Sequence, residues 1–425
     1  MDVSKFKNVT QKLSFFKDYS FLLTPIVIAA VALLVLVLSM LMGSRLRKKM
    51  LKTSVSMGNK VMSLSKNVVP SSQWQVEQAY QQIHQRDANE TALLAKQTTQ
   101  RELLSYKLFP EPNESSTLIF DEFGRRFRSA LEELLVRINA RDCPTEAELE
   151  RATTGSVVGN RDSSRRSTYS GSRFPQDAEH YITDALCRQK AESASVYANA
   201  ADLAGYEFWK EYTYSGMEQA LKDCWYWQLG YWITEDVVDT IDVLNASSKS
   251  VFTSPVKRLL AVSFGADGKT ADSPKRKGKS ARSAESGLGR ETAYNEPSYV
   301  RTLSDGLTIP CTARISDDVL DVVHFRVSVI IDSKEVFSFM KQLCSGKEHI
   351  FKGYYGLSEP QTFKHNQITI LSSNIESIDL EDEMHKLYRY GEAAAVRLDL
   401  ICEYIFKKDG YDEIKPETIE EKEEM

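Results

Sequence analysis

The sequence has 425 residues, a formal net charge of −5 and 42% hydrophobic residues. This length is enough for two or three domains with buried cores, and the mild acidity gives no indication of a broad nucleic-acid-binding surface. The six cysteines never occur at CxxC spacing, which excludes zinc-ribbon and thioredoxin-type sites, while their even number permits disulfides without requiring them.

The first predicted element is a membrane span. The run Phe21–Met42 contains no charged residue, and about 20 apolar residues suffice to cross a bilayer as a helix. A cleaved signal peptide is the alternative, but its apolar core would be shorter and would precede a small-residue cleavage site. A basic run at residues 45–52 follows instead. We therefore predict an N-terminal tail over residues 1–20 and a retained transmembrane helix over residues 21–43.

A helical stalk is predicted over residues 44–110. The stretch from Trp74 to Leu108 lacks Gly and Pro, and its apolar residues, including Tyr80 and Ile83, recur in a broken heptad pattern. This pattern is typical of a short coiled coil, and it also fits a solvated helix that packs on its own domain. Tyr80 and Ile83 are candidate interface residues on the first interpretation.

Residues 111–212 are predicted to form a mainly helical middle region. Apolar residues at helical spacing indicate an amphipathic helix near residues 120–139. Further elements are predicted as a helix at 146–151, a Ser/Gly/Arg-rich loop at 153–173, a helix at 176–192 and a short strand at 193–199.

Residues 213–410 carry the most informative pattern. A long helix begins at Met217, and the following strands alternate apolar and polar residues. The predicted order is helix–strand–strand–helix–strand–strand, with strands at 255–264, 321–331, 365–373 and 396–406 and helices at 217–244 and 334–344. Two helices over one face of a four-stranded antiparallel sheet make a ferredoxin-like (αββ)2 domain of the α+β class. A polar stretch at residues 265–300 is predicted to be a disordered insertion.

The second face of this predicted sheet carries apolar residues among polar ones. They are Leu259, Ile330, Leu371, Ile401 and Ile405. Because helices cover only the other face, these residues indicate a contact surface for another subunit or for residues 120–199 of this chain. Residues 411–425 are predicted to be an acidic, disordered tail.

Aromatic and thiol side chains are assigned mainly to the core. Trp225, Trp227 and Trp232 crowd one helix, where core packing is favoured over a recognition surface. Cys224 and Cys344 are predicted to be buried thiols, with a disulfide between them as the alternative in an oxidising compartment. His324 lies on the outward face of its strand and is predicted to be a surface histidine.

The layout resembles PilO and GspM, the inner-membrane alignment components of type IV pilus and type II secretion machines. The resemblance rests on the order of short N-terminus, transmembrane helix, stalk and ferredoxin-like modules, and it is strongest at Asn366–Leu371 and Val396–Leu400. It implies a single-pass inner-membrane protein with a periplasmic C-terminal domain. It also implies a homodimer or a complex with a paralogous PilN/GspL-like membrane partner. The chain departs from the family in its greater length and in residues 120–199.

The charges beside the span indicate the opposite orientation. Lys and Arg are slightly more numerous after the span than before it, which favours a cytoplasmic C-terminal region. Because both flanks are basic and differ by only one or two residues, we follow the layout of the family.

No catalytic or cofactor-binding motif is found in the sequence. The histidines lack HExxH spacing, and the chain contains no Walker A, GxSxG or GxGxxG sequence. The acidic cluster Glu381–Glu383 lacks the EF-hand spacing and glycine, which favours a solvated loop over a calcium site. The sequence therefore predicts no enzyme, cofactor, metal, nucleic acid or small-molecule substrate.

The resulting hypothesis is a non-enzymatic, bitopic component of a type IV pilus-like or type II secretion-like assembly. It would act through coiled-coil contacts and through the second face of the sheet. The alternative is a membrane-tethered sensory or ligand-binding domain, with a pocket between residues 120–199 and the ferredoxin-like unit.

Overall fold

The computed structural model describes residues 20–66, 71–113, 116–159, 176–264, 296–302 and 312–420. The chain divides into two compact units, Met1–Ala88 and Asn89–Met425. Predictions for other positions, including residues 265–295 of the proposed insertion, lie outside the described residues.

The first unit contains helix α1 (Ser20–Lys66) and the first part of α2 (Ser71–Gln97). Leu, Ala and Met, which favour helices, are frequent in α1. Its side chains from Val27 to Ser65 are exposed, and this stretch is long and apolar enough to cross a membrane. Tyr80 and Ile83 are exposed on α2.

The second unit is a mixed α+β body built on a six-stranded sheet of order β1-β2-β3-β4-β8-β7. Its strands are β1 (Ala140–Arg141), β2 (Val196–Tyr197), β3 (Val256–Phe264), β4 (Leu320–Asp332), β7 (Ile368–Ser377) and β8 (Ala395–Lys407). The pairs β1–β2 and β2–β3 are parallel, whereas the other pairs are antiparallel. A separate antiparallel hairpin joins β5 (Lys347–Phe351) to β6 (Gln361–His365).

Helices pack against this sheet around one large hydrophobic core. The helices described in this unit are α3 (Leu118–Arg137), α4 (Glu146–Gly159), α5 (Gln176–Ser193), α6 (Tyr206–Lys210), α7 (Met217–Asn245), α8 (Val336–Leu343) and α9 (Glu417–Glu420). Helix α7 is buried on most sides, because α3 and α8 contact it while the core face of the sheet lies beneath. The prediction that Trp225, Trp227 and Trp232 belong to the core is confirmed.

Alternate residues of β4 and β8 face the core, as their alternating sequence patterns predict. Residues of β4 at every second position from Val323 to Ile331 enter the large core, together with those of β8 from Leu398 to Phe406. These two strands pair along their whole length from Leu320↔Lys407 to Asp332↔Ala395. The sheet face that packs on α7 is therefore readable from the period-2 pattern.

The assignment of Leu259 to the second face of the sheet is wrong. The pairing of β3 with β4 shifts between Leu259 and Ala261, so a β-bulge interrupts the alternation. Leu259 consequently joins Val262 and Phe264 in the large core. A bulge adds a residue to one strand and reverses which face the residues before it occupy.

The third predicted strand is displaced, and a hairpin precedes it. Strand β6 ends at His365, whereas β7 begins at Ile368 and continues to Ser377. The β5–β6 hairpin was not predicted. Its connecting turn contains Gly353 and Gly356 with positive φ angles of 76° and 67°, a backbone region that glycine adopts at little cost.

Residues 411–420 of the predicted tail and residues 296–300 at the end of the predicted insertion are ordered, contrary to prediction. Tyr411, Ile414 and Ile419 are buried in the large core. Tyr299, at the end of the predicted insertion, is buried as well and forms a bridge with Val323 of β4. These apolar residues occur singly among polar ones, and they become ordered because the core accepts their side chains.

One further prediction needs correction. His324 is buried on β4, not a surface residue. The prediction of free thiols is confirmed for Cys224, which is buried, and for Cys344, which is free but only partly buried; the alternative disulfide is not formed.

Candidate functional site

A buried polar cluster fixes the chain just after α2 to the core of the second unit. We call it the junction clamp, and it consists of Gln100, Arg101, Glu235, Asp236, His349, His365 and Tyr404. These residues come from the segment after α2, from α7, from the β5–β6 hairpin and from β8. Because buried polar groups must be hydrogen-bonded to avoid a desolvation cost, such a cluster specifies one arrangement of these elements.

Arg101 is the cationic centre of the junction clamp. Its side chain is 2% exposed and lies 2.9 Å (Nη2) from Asp236 Oδ1 and 2.6 Å (Nη2) from Glu235 Oε2. Its Nη1 also donates a 2.9 Å hydrogen bond to the hydroxyl of Tyr404. Burial acts to lower the pKa of Arg101, but the charge of Asp236 and the other oxygen groups raise it well above its usual value.

Asp236 balances this charge from α7. Its Oδ2 accepts hydrogen bonds from the Tyr404 hydroxyl at 2.7 Å and from His365 Nε2 at 2.8 Å. Burial acts to raise the pKa of Asp236, but Arg101 and His365 outweigh it and hold that pKa well below its usual range. The carboxylate is therefore ionised, and each of its oxygens accepts at least one hydrogen bond in the folded protein.

The two histidines extend the junction clamp towards the chain after α2. His365 Nδ1 lies 2.9 Å from His349 Nδ1, and His349 Nε2 lies 2.8 Å from the carbonyl oxygen of Gln100. The Asp236–His365–His349–Gln100 chain thus has three contacts, each of which needs one proton. Two neutral imidazoles carry only two protons, so one contact is not a hydrogen bond while both rings are neutral.

Protonation of His349 would supply the missing proton, but its surroundings oppose the added charge. Burial lowers the pKa of His349 to about 4, and the Arg101 guanidinium and the His365 ring contribute to the shift. These costs exceed the gain from the bond to Gln100. The surroundings of His349 in the junction clamp therefore favour its neutral form.

The lowered pKa of His349 predicts that acid destabilises the folded protein. An unfolded histidine titrates near pH 6.5, so the unfolded chain binds more protons at His349 than the folded chain between pH 6.5 and about 4. We expect the melting temperature to fall as pH decreases through this window, and His349→Gln should remove part of that loss. The measurement is thermal unfolding at pH 7.0 and pH 4.5, with His84→Gln on the exposed face of α2 as control. Equal pH dependence in the wild type and His349→Gln would contradict the assignment.

Neighbouring contacts extend the attachment along the same segment. Thr99 Oγ1 accepts hydrogen bonds from the backbone N–H of Lys407 at 3.0 Å and from Gln367 Nε2 at 3.2 Å. Trp232 Nε1 donates to the carbonyl of Glu102 at 2.9 Å. Gly410 lies so close to the end of α2 that a Cβ on it would be 2.6 Å from the carbonyl oxygen of Lys96. The segment after α2 is therefore held against α7, β8 and the residue stretch after β8.

A second buried ion pair fixes the C-terminal residues. Asp321 at the start of β4 lies 3.3 Å from Lys415 Nζ, and the Tyr411 hydroxyl donates to the same carboxylate oxygen. Lys415 also lies over the ring of Tyr299, 4.9 Å from its centre, and Trp225 Nε1 donates to the Tyr299 hydroxyl at 2.9 Å. This network explains why residues 411–419 pack into the core instead of forming a free tail.

The chemistry available to the junction clamp is limited. An Asp–His pair can orient a base for nucleophilic catalysis, but this also requires a nucleophile within hydrogen-bond reach of the histidine. Neither ring is hydrogen-bonded to a serine, threonine or cysteine among the described residues. In the same part of the chain, no group of three or more His, Cys, Asp or Glu residues could hold a metal ion. The junction clamp therefore balances buried charges and fixes the positions of the segments that contribute to it.

The predicted interface residues are not gathered into one surface. Leu259 lies in the large core, and Ile330 is buried in a smaller core on the opposite face of the sheet with Ala191, Ala194, Tyr197, Val251 and Tyr390. That smaller core covers one end of the second face with residues of this chain. Leu371, Ile401 and Ile405 are half-buried. Of these three, Ile401 lines a cavity of about 280 Å³ together with polar residues that include Arg326, Arg397 and Asp399.

Sequence reasoning missed the junction clamp. Arg101 and Asp236 are 135 positions apart, and the two histidines are 16 apart on strands that were not predicted. The sequence carried no local signal for this hairpin, because Lys347–Phe351 and Gln361–His365 do not alternate apolar and polar residues and the connection between them is long.

The chain matches no protein-family model, no curated protein and no solved structure.

Proposed function

We propose that the chain is a bitopic membrane protein that docks protein partners and performs no catalysis. The observation that carries this proposal is α1, whose side chains from Val27 to Met42 are apolar or small and exposed over the whole run. An exposed apolar surface of this length is unfavourable in water and favourable in a hydrocarbon core. The second unit, with its filled core and charge-balanced junction clamp, would be the docking domain.

The strand order supports a ferredoxin-like core within the second unit. Strands β3-β4-β8-β7 are adjacent in the sheet, and α7 precedes the first pair while α8 precedes the second. A duplicated helix–strand–strand unit places the four strands in this order when the last strands of each half lie side by side. In this proposal the β5–β6 hairpin and the strands β1 and β2 are additions.

We further propose a place for the chain in a PilO/GspM-like assembly of the inner membrane, with a periplasmic docking domain. The supporting features are the anchor helix, the following long helix and the strand order just described. Partners of this kind would be a second copy of the chain or a paralogous membrane protein. The junction clamp would fix where the chain enters the docking domain, so that the domain is held at a defined point after α2.

The ligand-binding alternative lacks a favouring observation. It requires a pocket between residues 120–199 and the sheet-covering helix α7. In the structure, Phe127 of α3 packs edge-on against Trp227 and Tyr231 of α7, with ring centres 5.8 Å and 6.5 Å apart. Gly124 packs so tightly on Trp209 that a Cβ would lie 2.5 Å from that ring. Among the described residues, side chains fill the contact of α3 with Trp209 and with α7.

Alkaline extraction of membranes tests the anchor. We expect the wild-type chain to remain in the pellet, because about 20 apolar residues hold it in the bilayer. Leu34→Lys with Leu36→Lys should release much of the chain, since each central lysine costs roughly 2.5–3.5 kcal/mol on insertion scales. The matched control is Val55→Lys with Val61→Lys, which adds the same charges to exposed positions of α1 beyond the uncharged run. Release of the wild type would overturn the proposal.

The orientation is tested with the same preparations. Leu357 is 90% exposed in the β5–β6 connection, so Leu357→Cys offers a reactive thiol. Labelling by a membrane-impermeant maleimide in intact cells would agree with a periplasmic domain. Labelling only after lysis would place the domain in the cytoplasm and overturn the PilO/GspM-like assignment, while leaving the anchored docking role intact.

A further inference from the structure

The sheet of the second unit ends differently at its two edges. One edge is β1, which has only two residues. The other edge is β7, which has ten residues and pairs only with β8 among the described strands. Proteins usually blunt exposed edges by keeping them short or by adding lysine, proline or bulges, because unpaired N–H and C=O groups attract another strand.

The second half of β7 is open along this edge. Every residue from Ser372 to Ser377 is exposed, and Ile375 is 53% exposed. Among the described residues, no backbone hydrogen bond joins this stretch to any segment other than β8. It contains neither lysine nor proline, and the bulge of β7 lies before it, between Ile370 and Ser372. Three protective devices of natural edges, namely lysine, proline and a bulge, are therefore missing from this stretch, and Glu376 is its one charged residue.

We propose that Ser372–Ser377 pairs with the same stretch of a second copy of the chain, antiparallel, with the two-fold axis at Ile375. The proposal rests on the docking role proposed above and deepens it by naming the surface and the partner. In a two-fold interface each residue meets its symmetry-related counterpart across a single axis. The two six-stranded sheets would join into one continuous sheet through their β7 strands.

Self-complementarity selects this register. An axis at Ile375 places Ile375 against its own copy, Asn374 against Glu376 and Ser373 against Ser377. Apolar residues then meet each other, and an amide donor faces the one carboxylate of the stretch; within one chain, Asn374 Nδ2 already donates to Glu376 at 2.8 Å. An axis at Glu376 would oppose two carboxylates, which is unfavourable. An axis at Asn374 would leave Ile375 facing serine.

Disulfide trapping of the full-length chain in detergent tests both the partner and the register. Ile375→Cys should give a covalent dimer on mild oxidation, because directly opposed Cβ atoms lie within disulfide reach. Ser373→Cys alone should not, since its copy would be displaced by four residues, or about 13 Å, along the strand. Ser373→Cys combined with Ser377→Cys should restore the trapped dimer. The native-cysteine chain gives the background.

Sedimentation of a second variant tests the dimer without relying on disulfide formation. Ile375→Lys opposes two like charges and should weaken the dimer by about tenfold, with an unchanged melting temperature because the side chain is exposed. A dimer that persists in Ile375→Lys and is not trapped by Ile375→Cys would overturn the edge proposal while leaving the docking role. A monomer at all concentrations would also overturn it, and the docking role would then depend on in-cell crosslinking to a different protein.

Discussion

Asp236→Asn is expected to lower the free energy of unfolding by about 3 kcal/mol, because it removes one partner of a buried ion pair. The side chains of Arg101 and Asp236 are 2% and 1% exposed, so the guanidinium would lose its buried counter-charge with no access to water. The variant also weakens the acceptor for His365 and Tyr404. Since asparagine has nearly the same shape, the loss reports charge and hydrogen bonding, with little contribution from packing.

The neighbouring residue provides the matched control. Glu235 contacts the same Arg101 atom at 2.6 Å, but its side chain is 27% exposed. Glu235→Gln should therefore cost about 1 kcal/mol or less, as for partly exposed pairs. Thermal and denaturant unfolding of the full-length chain in mild detergent, followed by near-ultraviolet circular dichroism of the buried tryptophans, measures both variants. Equal losses in the two variants would contradict a central role for Asp236 in the junction clamp.

Lys415→Met is expected to cost a similar amount, about 3 kcal/mol, by removing a buried cation 3.3 Å from the Asp321 carboxylate. Both side chains are fully buried, and Lys408 lies farther from the carboxylate, at 3.8 Å. The variant also removes the cation above the Tyr299 ring. The expected result is a lower melting temperature, together with faster proteolysis after residue 410, because the C-terminal stretch loses its attachment.

A control variant and a double variant test whether the loss in Lys415→Met comes from the pair with Asp321. Lys407→Met removes a partly exposed pair with Asp409 and should cost less than about 1 kcal/mol. Asp321→Asn combined with Lys415→Met should cost less than the sum of the two single changes, since the residues share one interaction. Additive losses would show that Lys415 does not stabilise the fold through Asp321.

The elements with a strong local period were predictable from the sequence. The uncharged run from Phe21 to Met42 lies in α1, and the alternations of β4 and β8 gave strands whose core faces are as predicted. Each of these signals lies within about a dozen residues, because the helix period and the strand period are local properties of the backbone.

The junction clamp could not be predicted in the same way. Its arginine, aspartate and histidines are single residues in otherwise ordinary contexts, and their meaning depends on contacts between distant segments. The sequence alone gave no pairing for Arg101, and it left His349 and His365 among unremarked histidines. Long-range polar networks have no period, so only the packed structure brings their members together.

An apolar helix near the N-terminus and an α+β region with amphipathic helices and alternating strands could be inferred from local sequence patterns. The packed fold determined which faces are covered. The β-bulge between Leu259 and Ala261 places Leu259 in the large core, and Ile330 is buried in the smaller core. It also decided that the acidic C-terminal stretch is attached through Lys415 and Asp321. The physical reason is that burial and pairing are properties of the whole fold, whereas propensity and periodicity belong to short stretches of chain.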